Sequence, residues 1–68
     1  MKAEENIEQQ TRDSDMVFTA ISTGAFDNYA QAERAVVMFY VADMSVSLSG
    51  ISDALKRLQR HYAQEARA

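Results

Sequence analysis

Two residue types that would staple a small domain are scarce in this sequence. Its 68 residues contain no cysteine, which excludes a disulfide framework, and one histidine without cysteine does not make a structural zinc site of the usual kind. A chain of this length has room for one domain and buries only about 60% of its unfolded surface, so a lone monomer is marginal. We therefore expect stability to come from long helices, from self-association, or from both.

Proline is also absent, and Gly24 and Gly50 are the only glycines. No residue therefore breaks a helix by lacking a backbone amide hydrogen. With 47% hydrophobic and 25% charged residues, the chain has the composition of a folded protein, not of a disordered or fibrous one. The expected fold class is all-α.

Long apolar runs are missing as well. The best one, residues 35–51, is interrupted by Asp43 and three serines, so no membrane span is expected. Residues 1–6 (MKAEEN) lack the basic and apolar regions of a signal peptide. We expect a cytoplasmic protein.

The net charge of −3 is unevenly distributed, because residues 1–27 carry −4 and residues 28–68 carry +1. A negative chain repels the phosphate backbone, whose neutralisation supplies most nucleic-acid affinity. Direct DNA or RNA binding is therefore disfavoured. Basic protein surfaces are the better candidate partners.

Before Gly24, apolar and small residues recur at spacings of three and four, which predicts a first helix from about residue 3 to Ser22. Residues 13–15 (DSD) offer an alternative start, in which the helix covers 14–22 and residues 1–12 are frayed. Gly24 is expected to stop this helix with a positive φ. Asp27 or Asn28 would cap the next helix, so residues 23–27 form a turn.

A regular apolar seam follows the turn. Its spacings alternate between four and three over seven steps, a period typical of coiled coils. Its members are Val37, Val41, Met44, Leu48, Ile51, Leu55, Leu58 and Tyr62. We predict one long helix over 28–65, folded against the first helix as a helical hairpin. The alternative is a three-helix bundle broken at Gly50, with Ser49 or Ser52 capping the third helix.

The length of this predicted helix argues for a homodimer. A first helix of some twenty residues reaches only about Ser47 when folded back, so the seam beyond it has no partner within the chain. At roughly 1.5–3 kcal/mol for each large apolar side chain removed from water, that stretch supplies on the order of 10 kcal/mol to an association. The predicted dimer interface consists of Val41, Met44, Leu48, Ile51, Leu55, Leu58 and Tyr62.

Residues that carry catalysis are sparse. His61 lies in a helical stretch with Lys56, Arg57 and Arg60, where no serine is placed for activation, and no glycine-rich phosphate loop is present. His61 and Glu65 are four apart, but two ligands do not make a metal site. We expect no enzyme activity, catalytic residue, cofactor or metal. The basic cluster leaves a DNA-associated regulator as a functional alternative.

A mixed aromatic and acidic patch is the candidate partner site. Asp43 interrupts an apolar stretch, where a carboxylate needs water or a basic partner. On a continuous helix, Phe39, Asp43 and Val46 share a face and Tyr40 flanks it, on a side distinct from the seam. Because Tyr is a common hot spot and a carboxylate pairs well with Arg, we predict that these four residues contact an Arg-bearing partner.

In size, acidity and layout, with a short helix, a turn at Gly24 and a long seam-bearing helix, the whole chain resembles the small helical proteins that phages encode to take over host factors. That group includes anti-activators of quorum sensing. The resemblance implies a dimeric, non-enzymatic inhibitor in the cytoplasm of a bacterial host, and it transfers no site residue.

The resulting hypothesis is a small acidic protein that binds and blocks a host protein, with the DNA-binding domain of a transcription factor as the candidate target. The alternative is a chaperone or structural adaptor that shelters an amphipathic helix of a secretion or assembly subunit. Salt separates the two, since binding by an electrostatic blocker weakens with ionic strength and helix sheltering does not.

Overall fold

The computed structural model describes the backbone of residues 2–24 and 26–67, and the side chains of residues 7–24 and 26–64. Within these residues the chain is all-helical and has no strand. The helices are α1 (Lys2–Ser22), α2 (Tyr29–Ala42) and α3 (Leu48–Arg67). The all-α prediction is confirmed, and the architecture fits the three-helix alternative.

The chain does not form the single helix predicted over 28–65. It leaves the helix at Asp43, whose backbone is extended at φ −116° and ψ 90°. The Asp43 carboxylate Oδ1 accepts hydrogen bonds from the Ser45 amide at 3.1 Å and the Ser45 hydroxyl at 2.6 Å. This Asx turn competes locally with helix continuation. The break therefore precedes Gly50, which lies inside α3.

The first helix takes the longer of its two predicted forms. It begins at Lys2 and not at Ser14, so the alternative with frayed residues 1–12 does not apply to its described part, and Met1 lies outside the described residues. α1 ends just before Gly24, whose amide donates to the Ile21 carbonyl at 3.0 Å. The positive φ predicted for Gly24 is wrong, since its backbone is outside the left-handed region.

The start of α2 agrees with the sequence. Asn28 is its N-cap, and the Asn28 side-chain oxygen accepts a hydrogen bond from the Gln31 amide at 3.1 Å. This bond satisfies one of the amide hydrogens that a helix start leaves unpaired. Within the predicted turn 23–27, residue 25 lies outside the described residues.

The core forms between α1 and α3, with α2 packed against both. Its apolar members are Val17, Ile21, Ala32, Val36, Val46, Ile51, Ala54, Leu58 and Tyr62. The α3 members recur at spacings of three and four and so share one face of that helix. That face lies against α1 because the corner at residues 43–47 turns α3 back along the first helix. None of the described helices is long and apolar enough to span a membrane.

Candidate functional site

Helix α2 carries apolar side chains on two opposite sides. Ala32 and Val36 are fully buried against the rest of the chain. Val37, Met38 and Val41 point away from the core and are exposed. A helix that is apolar around its circumference is normally buried on all sides. The outer side of α2 therefore has the chemistry of an interface.

The exposed apolar side chains of α2 continue into the corner and the start of α3. We call Val37, Met38, Val41, Met44 and Leu48 together the apolar face; each is between 52% and 90% exposed. Such side chains present on the order of 600 Å², the upper end of what a monomer leaves uncovered. A contiguous apolar patch of this size is typical of a contact surface, whereas single exposed apolar residues are common on any protein.

Two shallow grooves connect the parts of the apolar face. One groove is lined by Val37 and Met38 of α2 and by Leu55 of α3, with Glu33 and Arg34 at its edge. The other is lined by Tyr40, Val41 and Met44. Leu48 precedes Leu55 by seven residues, nearly two turns, so the two lie on the same side of α3. The apolar face therefore spans α2, the corner and the adjacent side of α3.

The structure divides the predicted dimer seam into two parts. Its first three residues, Val41, Met44 and Leu48, are exposed and belong to the apolar face. Leu55 is half-buried, and the remaining three are buried inside the single chain: Ile51, Leu58 and Tyr62. The premise that residues 48–62 lack an intramolecular partner is wrong, because α1 and α2 cover them.

The predicted partner patch is not a continuous exposed surface. Val46 is 3% exposed and belongs to the core. Phe39 and Tyr40 are half-buried against that core, and the Asp43 carboxylate is engaged by Ser45. The prediction assumed one helical phase through residues 39–46, and the break at Asp43 removes that phase relation. Met38 was missed as a surface contact, and Val37 was assigned to the seam but not to the predicted dimer interface. The apolar character of residues 35–42 on several sides of the helix was nevertheless visible in the sequence.

The predicted basic cluster is partly used within the fold. The guanidinium of Arg57 donates to Asp15 Oδ1 at 2.6 Å and to Ser14 Oγ at 2.9 Å. Its central carbon also lies 4.7 Å from the centre of the Phe18 ring, a cation–π distance. Lys56 and Arg60 are the exposed members of the cluster. This arrangement favours a structural role for Arg57 over phosphate binding.

Arg57 belongs to a polar network at the crossing of α1 and α3. The Ser14 hydroxyl is completely buried and donates to Asp53 Oδ2 at 2.6 Å. One residue earlier, Asp13 Oδ2 accepts the Ser47 amide hydrogen at 2.8 Å. Every buried side-chain nitrogen and oxygen among the described residues has a partner. The network links α1 to α3, and solvent does not reach the Ser14 hydroxyl at its centre.

His61 has contacts with aromatic rings of the same chain. Its imidazole meets the Phe18 ring edge-on, with 5.8 Å between centroids, and the Tyr62 ring with 5.1 Å. Within the described residues, no group of three potential metal ligands converges at His61 or elsewhere. The His61 side chain therefore packs against Phe18 of α1.

Among the described residues, Tyr29 has a hydroxyl whose pKa departs clearly from its usual value. Burial raises the pKa of its hydroxyl above the usual range, and the negative charge of Glu33 and a hydrogen bond to that carboxylate raise it further. The two residues are four apart and lie on one side of α2. The Tyr29 hydroxyl therefore stays protonated to a higher pH than a free tyrosine, and Glu33 lines the same groove as Arg34.

Among the described residues, the side chains of the apolar face have no packing role within the chain, whereas the polar network is satisfied internally. No protein-family model, curated protein or solved structure matches the chain.

Proposed function

We propose that this chain is a non-enzymatic protein-binding inhibitor that covers an apolar segment of a partner protein with its apolar face. One observation carries the proposal: α2 is apolar on both sides, and its outer side, with Val37, Met38 and Val41, is exposed. Removing such side chains from water is worth roughly 1.5–3 kcal/mol each. A partner that buries several of them gains enough free energy for specific binding.

The chemistry of this face favours an amphipathic helix as the bound segment. Met38 and Met44 have flexible, polarizable side chains that adapt to different apolar partners. The grooves beside α2 suit the side chains of such a helix, which project at spacings of three and four. This mode of binding agrees with the helix-sheltering alternative. It does not use Asp43 as an acidic anchor, because that carboxylate is hydrogen-bonded to Ser45 in the corner.

We propose that this protein acts as an inhibitor in a bacterial cytoplasm, because it resembles the helical proteins that phages encode to take over host factors. A transcription factor remains the candidate target, contacted through an amphipathic helix. The DNA-associated regulator receives less support, because Arg57 is paired with Asp15 and the overall charge is negative.

A matched pair of methionine substitutions tests the partner-binding surface. Met38 lies in the apolar face, whereas Met16 is an exposed methionine of α1 outside it. We expect the tagged wild-type chain and Met16→Asp to capture the same protein from a bacterial lysate, and Met38→Asp to lose it. Circular dichroism should show equal helix content in all three.

The salt dependence of capture tests the type of contact. Because apolar burial is not screened, capture by the wild type should persist at about 0.5 M salt, where the screening length is only a few ångströms. Equal capture by Met38→Asp and the wild type would show that the apolar face is not the binding surface. Loss of capture at high salt would instead favour the electrostatic blocker.

A further inference from the structure

We propose that a second copy of this chain covers the apolar face when no partner is bound, so that self-association and partner binding compete. In this dimer, the α2 helices of the two copies lie antiparallel across a two-fold axis that passes midway along the stretch between Val37 and Val41. The inference rests on the proposed function because it assigns a second, regulatory occupant to the same surface.

The size of the face matches what a dimer of this kind needs. Five large apolar side chains are at least half exposed on this side of the molecule. Pairing two such faces buries on the order of 1,200 Å² in total, the lower end of the range for specific protein interfaces. An interface of this size gives a dimer that a competing partner can open. A dimer with a much larger, obligate interface would not dissociate readily enough for a partner to replace the second copy.

The face is also complementary to itself under a two-fold operation. In the antiparallel pair, Val37 of one copy lies opposite Val41 of the second copy, and Met38 lies beside the axis. The same operation generates the contact between Val37 and Val41 twice and places the two Met38 side chains on either side of the axis, as an isologous interface requires. Apolar groups then meet apolar groups along α2, and the polar residues 33 and 34 fall at the rim.

Charge at the ends of α2 favours the antiparallel direction. The last turn of α2 has no basic residue of its own, although helix carboxyl ends favour a nearby cation. Residue 34 lies five positions before the midpoint between residues 37 and 41, so it reaches the level of residues 43–44 in the second copy. Arg34 would thereby lie beside the carboxyl end of the second copy's α2. A parallel pair would instead place the two carboxyl ends of α2, which carry partial charges of the same sign, next to each other.

Sedimentation equilibrium of the purified chain, without any partner, tests the dimer. A monomer has a mass of 7.6 kDa, and we expect the wild type to reach twice that value at micromolar to submillimolar concentrations. Met38→Asp should shift the dissociation constant upward by at least a hundredfold, because it places two carboxylates beside the axis in apolar surroundings. Met16→Asp should leave the constant within about twofold.

Arg34→Glu tests the direction of the helices. It should weaken the dimer by about three- to tenfold, and less at high salt, because the contact lies at the solvent-exposed rim. An unchanged dissociation constant for Arg34→Glu would contradict the antiparallel arrangement. A wild type that remains monomeric, or a Met16→Asp variant that dissociates as readily as Met38→Asp, would overturn the dimer itself.

Capture from the lysate keeps the two proposals distinguishable. If the wild type is monomeric and Met38→Asp alone loses the partner, the inference fails and the proposed function stands. If Met38→Asp is monomeric but still captures the partner, the proposed function fails and the dimer stands. If both hold, adding the captured partner to the wild-type dimer should yield a one-to-one complex, and a ternary complex with an intact dimer would contradict competition.

Discussion

Gly50 shows at the level of one residue how packing overrides helix propensity. A glycine in a helix interior is about 1 kcal/mol less favourable than alanine. At this position, however, an added Cβ would lie 2.3 Å from the Asp13 Cβ and 3.3 Å from the Ser14 backbone nitrogen. The missing side chain therefore permits the close approach of α1 and α3. From the sequence, Gly50 was either a tolerated residue inside one long helix or, in the alternative, a helix break. The close approach was not predicted, because the approaching residues are more than thirty positions away.

Gly50→Ala should consequently destabilise the protein even though alanine is the better helix former. We expect the free energy of unfolding to fall by about 1–3 kcal/mol, the usual cost of overpacking. Urea denaturation followed by circular dichroism measures it. Ser52→Ala is the control at an exposed α3 position and should have an effect of less than about 0.5 kcal/mol. A Gly50→Ala variant as stable as the wild type would show that the two helices are free to move apart.

Tyr29 links the stability of the fold to alkaline pH. Burial and Glu33 raise the pKa of its hydroxyl in the folded chain above the unfolded value of 10.0. A group with a raised folded pKa contributes stability that is complete below its unfolded pKa and is lost as the pH rises through the folded pKa. We expect the wild type to lose stability as the pH rises above about 10. Tyr29→Phe should lose less over the same range in parallel urea titrations.

At the level of the elements, the corner at residues 43–47 decides the architecture. The sequence predicted the existence of helices, the turn near Gly24 and the Asn28 cap, because these depend on local chemistry. It did not predict the corner, which contains neither glycine nor proline and continues the 3.5-residue period. Burial of Val46 and the hydrogen bond between Asp13 and the Ser47 amide stabilise it, and both involve distant parts of the chain.

The candidate site was also predicted only in part. The seam identified Val41, Met44 and Leu48 as interface residues, and the structure exposes all three. Ile51 and Leu58 carry the same periodic signal but belong to the core. Periodicity identifies an apolar stripe, whereas the tertiary fold determines whether the stripe faces the same chain or the solvent. That distinction requires the position of α1.

Two neighbouring residues of the corner should respond oppositely to the same substitution. Val46 is 3% exposed and Met44 is 90% exposed. We expect Val46→Asp to lower the free energy of unfolding by about 3 kcal/mol or more, because it buries an unpaired carboxylate. Met44→Asp should change it by less than about 0.5 kcal/mol, measured at dilution so that association does not contribute. Equal effects would mean that the corner does not bury Val46 in solution.

At the level of the whole molecule, the proposed dimer would make the stability of the fold depend on protein concentration. A folded dimer that unfolds to two separate chains melts at a higher temperature when the protein is more concentrated. With an unfolding enthalpy of about 0.7 kcal/mol per residue, a fully dimeric protein of this length gains about 5 °C in Tm for each tenfold increase in concentration. Scanning calorimetry over a hundredfold range should show this rise for the wild type. Met38→Asp should melt at one temperature throughout, and a concentration-independent wild type would contradict the dimer.

The hydrogen bond from the Ser47 amide to Asp13 also has a kinetic consequence. It joins residues 34 positions apart, so α3 receives part of its N-terminal cap from α1. Such a contact forms only after both helices have docked, because closing a long loop costs entropy before the contact returns any free energy. Asp13→Ala should therefore act mainly on the unfolding limb of a chevron plot, raising the unfolding rate while the folding rate stays close to that of the wild type.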